Sequence, residues 1–209
     1  MIKLLICTHN ENKINEIKGT LLDLNIEVVT LKDLNDETEV IEDGLTFQEN
    51  AYIKASYFGH KHQLLSLSDD SGLEVEHLNG GPGVYSARYA GNDLENNKKL
   101  LYTLTNVQNR NAQFKTVLAL YNPNTNEVNY FEGTLKGKIT EQLIGRNGFG
   151  YDPVFYVPEI GKTLAELTKE EKLKVSHRGK ALKKLKEAFN ENFNNLIKKS
   201  PSSIGSEMN

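Results

Sequence analysis

Two adjacent carboxylates follow a short apolar run in this chain, in the sequence Asp69-Asp70-Ser71-Gly72. Paired carboxylates at the end of a strand can hold a divalent cation or activate a water molecule. Cationic side chains occur far away in the sequence, at Lys13, Lys54, Lys172, His177 and Arg178. A candidate metal site combined with dispersed cations indicates a polyphosphate substrate, because both neutralise phosphate charge.

Two other interpretations of the acidic stretch have to be weighed. Asp70-Ser71-Gly72 also matches the active-site triplet of aspartic proteases, but that reaction needs two such carboxylates sharing a proton. The chain contains a single Asp-Ser/Thr-Gly triplet, so a protease would have to be a symmetric dimer, and the helix-rich pattern does not fit that class. The structural alternative is a turn with a capping Asp.

A polar segment joins the first apolar run to the first helical pattern and consists of Thr8, His9, Asn10, Glu11, Asn12 and Lys13. A strand-to-helix turn exposes N–H groups and the positive end of the helix dipole, which suits phosphate. The segment is not a P-loop, because it lacks the glycines and the Lys-Ser/Thr pair. The alternative is an N-capped helix with a solvated lysine.

Three further segments could carry chemistry. Glu42 and Asp43 would assist a metal site only if their loop faces Asp70, and a solvated acidic loop is the alternative. The segment Phe149-Gly150-Tyr151-Asp152-Pro153 offers a ring that could stack on a base, although loop aromatics often pack against a core. Ser176-His177-Arg178 opens the last long helix and supplies hydrogen-bond donors, or simply surface charge.

The composition limits the function classes. The 209 residues carry a net charge of −3, which argues against a general nucleic-acid binder. Apolar runs reach only about five residues, far short of the ~20 needed to span a bilayer, so we expect no membrane segment. One cysteine excludes an internal disulfide and fits a cytoplasmic protein. Phosphate chemistry would therefore depend on local cationic pockets.

The hydrophobic pattern predicts an α/β fold with a mixed sheet. A strand, a helix and a second strand at the start favour parallel pairing, and a hairpin across residues 122–126 requires antiparallel pairing. Thr46 and Glu49 match a capping box before the helix 47–62. Residues 80–83 are predicted as a loop, and two strands are expected on either side of an acidic turn at Asp69-Asp70. The predicted strands are 2–7, 26–31, 64–68, 73–78, 113–121, 127–135 and 154–157; the predicted helices are 13–24, 47–62, 94–105, 163–166, 168–174 and 177–198.

No linker or internal repeat separates independent domains. We expect one domain over residues 1–199, built as two lobes, and a disordered tail over residues 200–209.

Six motifs occur in an order that resembles one known family. They are Thr8-x-Asn10-x-x-Lys13, Thr46-Phe47-x-Glu49-Asn50-Ala51, Asp69-Asp70-Ser71-Gly72-Leu73, Gly81-Pro82-Gly83-x-Tyr85-Ser86-Ala87-Arg88-Tyr89, Gly148-Phe149-Gly150-Tyr151-Asp152-Pro153 and Ser176-His177-Arg178-Gly179. Over about residues 3–189 the chain is similar to the inosine triphosphate pyrophosphatase family, also called the dITP/XTP or HAM1-like pyrophosphatases. Each motif alone is weak, but six in order make chance similarity improbable.

The resemblance implies a fold and an activity. It implies an elongated two-lobed α/β fold, in which helices flank a long mixed β-sheet and the active site lies in the cleft between the lobes. It implies a homodimer that uses Mg²⁺ to hydrolyse the small-molecule substrates ITP, dITP and XTP to the monophosphate and pyrophosphate. Such activity removes deaminated purines from the nucleotide pool.

Roles follow from the same resemblance, residue by residue. Asp70 resembles the catalytic carboxylate that binds the metal and activates water, Glu42 resembles the second metal ligand, and Asp69 an outer-shell partner. Phe149 would stack on the base. The remaining implied substrate contacts are the triphosphate loop Thr8, His9, Asn10, Glu11, Asn12 and Lys13, the phosphate contacts Lys54 and Ser71, the base loop Gly150, Tyr151 and Asp152, and the base readers Lys172, His177 and Arg178.

Two alternative functions stay open at this point. One is a related pyrophosphatase for modified pyrimidine triphosphates, which a substrate panel would separate. The other is a nucleotide-binding protein without catalysis, which would predict missing carboxylates, whereas Glu42, Asp69 and Asp70 are all present.

Overall fold

A computed structural model describes residues 2–197. The predicted tail 200–209 and the end of the predicted helix 177–198 lie outside the described residues. The strands are Ile2–Ile6 (β1), Ile26–Thr30 (β2), Leu65–Val75 (β3), Gly81–Pro82 (β4), Asn111–Asn122 (β5), Glu127–Ile139 (β6), Phe155–Val157 (β7) and Lys162–Thr163 (β8). The α-helices are Glu11–Leu21 (α1), Phe47–His62 (α2), Asp93–Thr103 (α3), Lys169–Val175 (α4) and His177–Leu196 (α5). Short 3₁₀ helices occupy Glu76–Leu78, Gly83–Arg88, Asp152–Val154 and Leu164–Glu166.

The sheet is mixed, as the pattern of strands and helices predicts. Its strand order is β2-β1-β3-β5-β6-β7-β8, with β4 beside β3. Strand β1 pairs in parallel with β2 and β3, whereas β7 pairs antiparallel with β6 and β8. The mixed α/β fold class is therefore confirmed.

The acidic stretch is not a turn, and the prediction of two separate strands around it is wrong. Strand β3 runs without interruption through Asp69 and Asp70, pairing in parallel with β1 near its start and antiparallel with β4 near its end. Asp, Ser and Gly favour turns locally, but burial along almost the whole strand and pairing at both ends outweigh that preference. In a regular strand successive side chains point to opposite faces, so neighbouring carboxylates are directed apart.

Other local predictions also need correction. The predicted strand 73–78 stops at Val75, where a 3₁₀ turn follows, and the predicted loop at 80–83 includes β4. The short helix predicted at 163–166 is a 3₁₀ turn with a capping box between Thr163 and Glu166. Strand β5 extends beyond both predicted ends, and β6 continues past residue 135 to Ile139, because Lys138 and Ile139 pair with β7.

The described chain divides into two compact units. The first contains the described residues up to Asp69, Leu118–Phe131 and the described residues from Leu182 onward. Its core includes the buried apolar residues Leu5, Cys7, Val29, Leu31 and Phe58. Ser66 on β3 donates a 2.7 Å hydrogen bond to the carbonyl of Ala55 on α2, and Ser68 donates to Ala51. These bonds fix α2 against the first half of β3.

The second unit contains Asp70–Val117 and Glu132–Ala181. Its core joins β3, α3, β5, β6 and β7, and includes Leu73, Leu100, Phe114, Leu135 and Phe155. The rings of Phe114 and Phe155 lie 4.5 Å apart in a tilted arrangement. This core supports the loop around Phe149 and the start of α5.

Candidate active site

The predicted triphosphate loop joins β1 to α1 in the first unit. Asn10 is the N-cap of α1, since its side-chain oxygen accepts from the backbone N–H of Asn12 at 3.0 Å and of Lys13 at 3.2 Å. Thr8 Oγ1 in turn accepts from the N–H of Asn10. The Nε2 of His9 lies 3.2 Å from the carbonyl of Thr38. The cap fixes the loop and leaves His9, Asn10, Glu11 and Asn12 exposed.

Two lysines of the first unit hold its carboxylates. The ammonium of Lys13 lies 2.7 Å from Asp69 Oδ1. The ammonium of Lys54, on α2, lies 2.5 Å from Glu42 Oε1 and donates to the backbone carbonyl of Asp69 at 2.8 Å. Asp69 is almost fully buried. The structure therefore brings together Lys13, Glu42, Lys54 and Asp69, which lie far apart in the sequence.

Asp70 and Ser71 are the first residues of the second unit. Asp70 is buried within β3, at 9% exposure. Ser71 Oγ lies 2.8 Å from Thr116 Oγ1 on β5 and accepts a 3.2 Å hydrogen bond from Arg178 Nη2. Ser71 thus links the acidic strand to the start of α5.

Three of the base residues predicted from the sequence, Asp152, Lys172 and Arg178, are buried in the second unit and lie near the half-buried ring of Phe149. The ammonium of Lys172 lies 4.3 Å from the centre of the Phe149 ring and 2.7 Å from Asp152 Oδ2. The same carboxylate oxygen accepts from the backbone N–H of Phe149 at 3.0 Å. The guanidinium of Arg178 lies 5.7 Å from the ring centre. Asp152 therefore connects the aromatic ring to the cation that lies above it.

Close backbone packing positions the start of α5. Ser176 Oγ accepts from the N–H of Gly179 at 3.0 Å and so caps the helix. A Cβ on Gly179 would lie 1.7 Å from the carbonyl oxygen of Leu173, and one on Gly133 would lie 1.9 Å from that of His177. Only glycine fits at these two positions, which explains the glycine that follows Ser-His-Arg in the motif.

His177 and Arg178 are buried at this helix start, at 4% and 2% exposure. The imidazole of His177 stacks on Phe114, with ring centres 4.5 Å apart and planes 10° from parallel. Stacking on a core ring restricts the imidazole to one orientation. Phe114 is a supporting residue that the sequence analysis missed, since only the fold brings it to the helix.

Tyr151 occupies a position different from that of a stacking residue. It is 5% exposed, packs in the core of the second unit, and donates from its hydroxyl to the carbonyl of Ser86 at 2.6 Å. Burial, together with the nearby Tyr89 and Asp93, raises the pKa of its hydroxyl well above the ordinary value. The alternative of core packing applies to Tyr151, and Phe149 is the half-buried ring of this loop.

Carboxylate oxygens such as those of Glu42 and Asp70 are the ligand type that a hard divalent cation prefers. Glu42 already holds a cation, the Lys54 ammonium, so its carboxylate is directed at positive charge. Within residues 2–197, no group of three His, Cys, Asp or Glu side chains is close enough to hold a metal ion. Mg²⁺ ordinarily needs only one or two carboxylates, with substrate phosphates and water completing its shell.

Within residues 2–197, no helix has the length and apolar character needed to cross a membrane.

The sequence model of the Ham1 family matches residues 4–188. The chain belongs to the Ham1 family. Within the family it is similar to the dITP/XTP pyrophosphatase of Caldanaerobacter subterraneus subsp. tengcongensis, at 51% identity over 193 residues, covering 90% of this chain and 96% of that protein. It is also similar to the dITP/XTP pyrophosphatase of Staphylococcus epidermidis, at 48% identity over 190 residues, with the same coverage of 90% and 96%.

Solved Ham1 structures agree with the fold. The Staphylococcus aureus Ham1 protein matches with a TM-score of 0.82 at 42% identity, covering 90% of this chain and 98% of its own. The Coxiella burnetii HAM1 protein matches with a TM-score of 0.85 at 38% identity, covering 91% of this chain and 100% of its own. The Ham1 assignment therefore extends over nearly the whole described chain.

Proposed function

We propose that the chain hydrolyses the deaminated purine nucleotides dITP, ITP and XTP to the monophosphate and pyrophosphate. The observation that carries this proposal is the buried cluster in which the Lys172 ammonium lies over the Phe149 ring and binds Asp152. The cluster combines a stacking surface for a base with charged donors beside it. Relatives named dITP/XTP pyrophosphatase support the same activity.

The donors account for the preference against adenine. Hypoxanthine and xanthine carry an oxygen at position 6, whereas adenine carries an amino donor there. Lys172 and Arg178 can only donate hydrogen bonds, so an amino group facing them would place donor against donor and accept no hydrogen bond from either side chain. A site built for such hydrogen bonds can discriminate by ~10⁴ against an analogue that lacks the matching group.

The residues of the first unit suit the triphosphate. Lys13 and Lys54 provide ammonium groups held in place by Asp69 and Glu42, and charge neutralisation is the main source of rate in phosphoryl-type chemistry. In our proposal a water molecule attacks the α-phosphorus, and the Asp70 carboxylate accepts its proton. The family resemblance implies Glu42 and Asp70 as metal ligands, and a bound Mg²⁺ ion would polarise the phosphate oxygens.

Product analysis tests the activity. The enzyme is incubated with Mg²⁺ and, separately, with ITP, XTP, dITP, GTP, ATP and UTP, and pyrophosphate and orthophosphate are assayed independently. We expect pyrophosphate mainly from ITP, dITP and XTP. Orthophosphate as the product, activity centred on UTP, or no turnover of any nucleotide would refute the proposal.

Arg178→Ala tests base selection. We expect the variant to lower the ratio of kcat/KM for ITP to that for ATP by at least about tenfold, since one charged donor is lost. Lys183→Ala is the matched control, because Lys183 lies on the same helix and is largely exposed. A ratio that stays at the wild-type value in Arg178→Ala would show that Arg178 does not read the base.

The proposal extends to cofactor, assembly, location and domain structure. We propose Mg²⁺ as the cofactor, a homodimer, a cytoplasmic location, and a single catalytic domain over residues 1–199. The family resemblance supports the metal, the dimer and the domain, and the single cysteine fits the location. Activity lost with a chelator and restored by Mg²⁺, and a dimer mass by light scattering, are the expected results. A monomer with full activity would refute the assembly proposal.

A further inference from the structure

Two side chains of helix α3 bind the backbone of Gly150 in the base loop. The carboxylate of Asp93, in the first turn of the helix, accepts from the N–H of Gly150 at 2.8 Å. One turn later, Asn97 Nδ2 donates to the carbonyl of Gly150 at 2.9 Å. Both backbone polar groups of Gly150 are therefore bound by side chains of the same helix, four residues apart, where they share a face.

The position of Asn97 leaves one of its polar atoms buried without a hydrogen bond among the described residues. Its side chain is 3% exposed, and its Oδ1 has no hydrogen-bond partner among the described residues. Its Nδ2 makes two bonds, to the carbonyls of Asp93 and Gly150. Rotating the amide by 180° would direct Oδ1 at those two acceptors, so the observed orientation is the favourable one. An apolar side chain would avoid the unsatisfied oxygen, which indicates that holding Gly150 is what the amide contributes.

The bonds fix the two peptide planes that flank Phe149. The N–H of Gly150, bound by Asp93, belongs to the peptide that follows Phe149. The N–H of Phe149, bound by Asp152, belongs to the peptide that precedes it. Both dihedral angles of Phe149 are thereby constrained. Gly148 and Gly150 have φ angles of +72° and +60°, and glycine has access to more backbone conformations than other residues, so these bonds help to select one shape of the loop.

We propose that Asp93 and Asn97 are positioning residues that fix the orientation of the Phe149 ring, and that this orientation determines how tightly the enzyme binds its purine base. The inference rests on the proposed function, in which Phe149 stacks on the base. Neither residue reaches the substrate; both act through Gly150. Loss of either bond should weaken base binding and leave the triphosphate contacts unchanged.

The kinetic test compares Asp93→Ala, Asp93→Asn and Glu95→Ala. Glu95 is the matched control, because it is also an acid in the first turn of α3 but pairs with Lys98. We expect Asp93→Ala to raise KM for ITP about tenfold with little change in kcat, as one charge-assisted bond is lost. Asp93→Asn should restore the wild-type KM, because its amide oxygen still accepts from Gly150. The inhibition constant of inorganic tripolyphosphate, which has no base, should be unchanged in all three.

A KM in Asp93→Ala equal to that of Glu95→Ala would overturn the proposal, as would equal defects in Asp93→Asn and Asp93→Ala. Asn97→Leu provides a second test that separates positioning from folding. We expect this variant to stay within about 1–2 kcal/mol of the wild type in urea unfolding, because removal of the unsatisfied oxygen offsets part of the lost bond to the Gly150 carbonyl, and yet to show a raised KM for ITP. A stable Asn97→Leu variant with wild-type KM would refute the role of Asn97.

Amide hydrogen exchange tests the same idea without catalysis. We expect the Gly150 amide to exchange about tenfold faster in Asp93→Ala than in the wild type, and at the wild-type rate in Glu95→Ala. An unchanged exchange rate of the Gly150 amide in Asp93→Ala would refute the proposed role of the bond between Asp93 and Gly150. A wild-type enzyme that hydrolyses none of the nucleotides would instead refute the proposed function, so the two failures are distinguishable.

Discussion

Replacing Asp152 with alanine removes the partner of a buried ammonium group. Asp152 and Lys172 are 3% and 5% exposed, and their charged atoms lie 2.7 Å apart. At an effective dielectric constant of about 20, the attraction at this distance is about 6 kcal/mol. Desolvation of each ion costs several kcal/mol, so the intact pair contributes little net stability, but one partner alone leaves an uncompensated buried charge.

We therefore expect Asp152→Ala to lower the free energy of unfolding by about 3–5 kcal/mol, which is a large part of the 5–15 kcal/mol typical of a domain. Lys172→Met removes the charge itself. In that background the Asp152 carboxylate is the unpaired buried charge, so Asp152→Ala should cost about 1 kcal/mol or less: removal of that charge offsets the lost bond to the Phe149 N–H. The coupling energy between the two positions should be at least about 2 kcal/mol.

Urea unfolding followed by circular dichroism measures the four proteins of this double-mutant cycle. The exposed pair Glu95–Lys98 is the matched control, with side chains 48% and 58% exposed. Its coupling should be about 0.5 kcal/mol or less, and it should fall with added salt, whereas coupling of the buried pair should persist. Additivity of the Asp152 and Lys172 effects to within about 0.5 kcal/mol would refute this account of the cluster.

Three further predictions follow from particular residues. Asp70→Asn should lower kcat by ~10³ or more while the protein stays folded; a soluble variant within about tenfold of the wild type would contradict the assignment. Burial acts to raise the pKa of Asp36, but hydrogen bonds from its neighbours hold that pKa well below its ordinary value of 3.8. The ionised Asp36 therefore stabilises the fold at pH values above 3.8, and this stabilisation is lost as the pH falls below 3.8 toward the pKa of the folded state. Unfolding of Asp36→Asn at several pH values should show a deficit that is constant above about pH 5 and shrinks in acid; a constant deficit would contradict this. Gly133→Ala should lower the free energy of unfolding by about 3 kcal/mol or more, because its Cβ would meet the carbonyl of His177. Gly19→Ala has nothing within 4 Å of its Cβ and should raise the free energy of unfolding by about 0.5–1 kcal/mol. Equal effects of the two substitutions in thermal unfolding would contradict this account.

Local signals in the sequence were sufficient for most helices. Thr46 and Glu49 predict the start of α2 correctly, and the cap is present, since Thr46 Oγ1 accepts from the N–H of Glu49. The carboxylate of Glu49, however, reaches the N–H of Leu45 and not that of Thr46. The helix start depends on bonds between neighbours in the chain, which is why sequence alone predicts it.

The course of β3 could not be predicted in this way. Asp69, Asp70, Ser71 and Gly72 have the composition of a turn, and only distant partners keep them in a strand. Ser66 and Ser68 bind the carbonyls of α2, and Lys13 neutralises Asp69. These contacts join residues far apart in the sequence, so no local pattern contains them.

The candidate base cluster shows the same limit. The glycines beside Phe149 indicate a loop whose ring could stack on a base, and the family resemblance implies roles for Lys172 and Arg178. The sequence gives no sign that the Lys172 ammonium lies above that ring, or that Asp93 and Asn97 hold the next residue. Those relations depend on how α3 and α4 pack, which is a property of the tertiary fold.

The charge of the chain also has a local explanation. Each of the three lysines assigned to the substrate is paired with a carboxylate of its own unit: Lys13 with Asp69, Lys54 with Glu42, and Lys172 with Asp152. Pairing orders the ammonium groups before substrate binds, which reduces the entropy lost on binding. It also cancels their charge in the total, so a chain with a net charge of −3 can contain cationic groups suited to a nucleotide without a basic surface suited to nucleic acid. Net charge sums over all residues, so it argues against a general nucleic-acid binder and cannot locate a pocket.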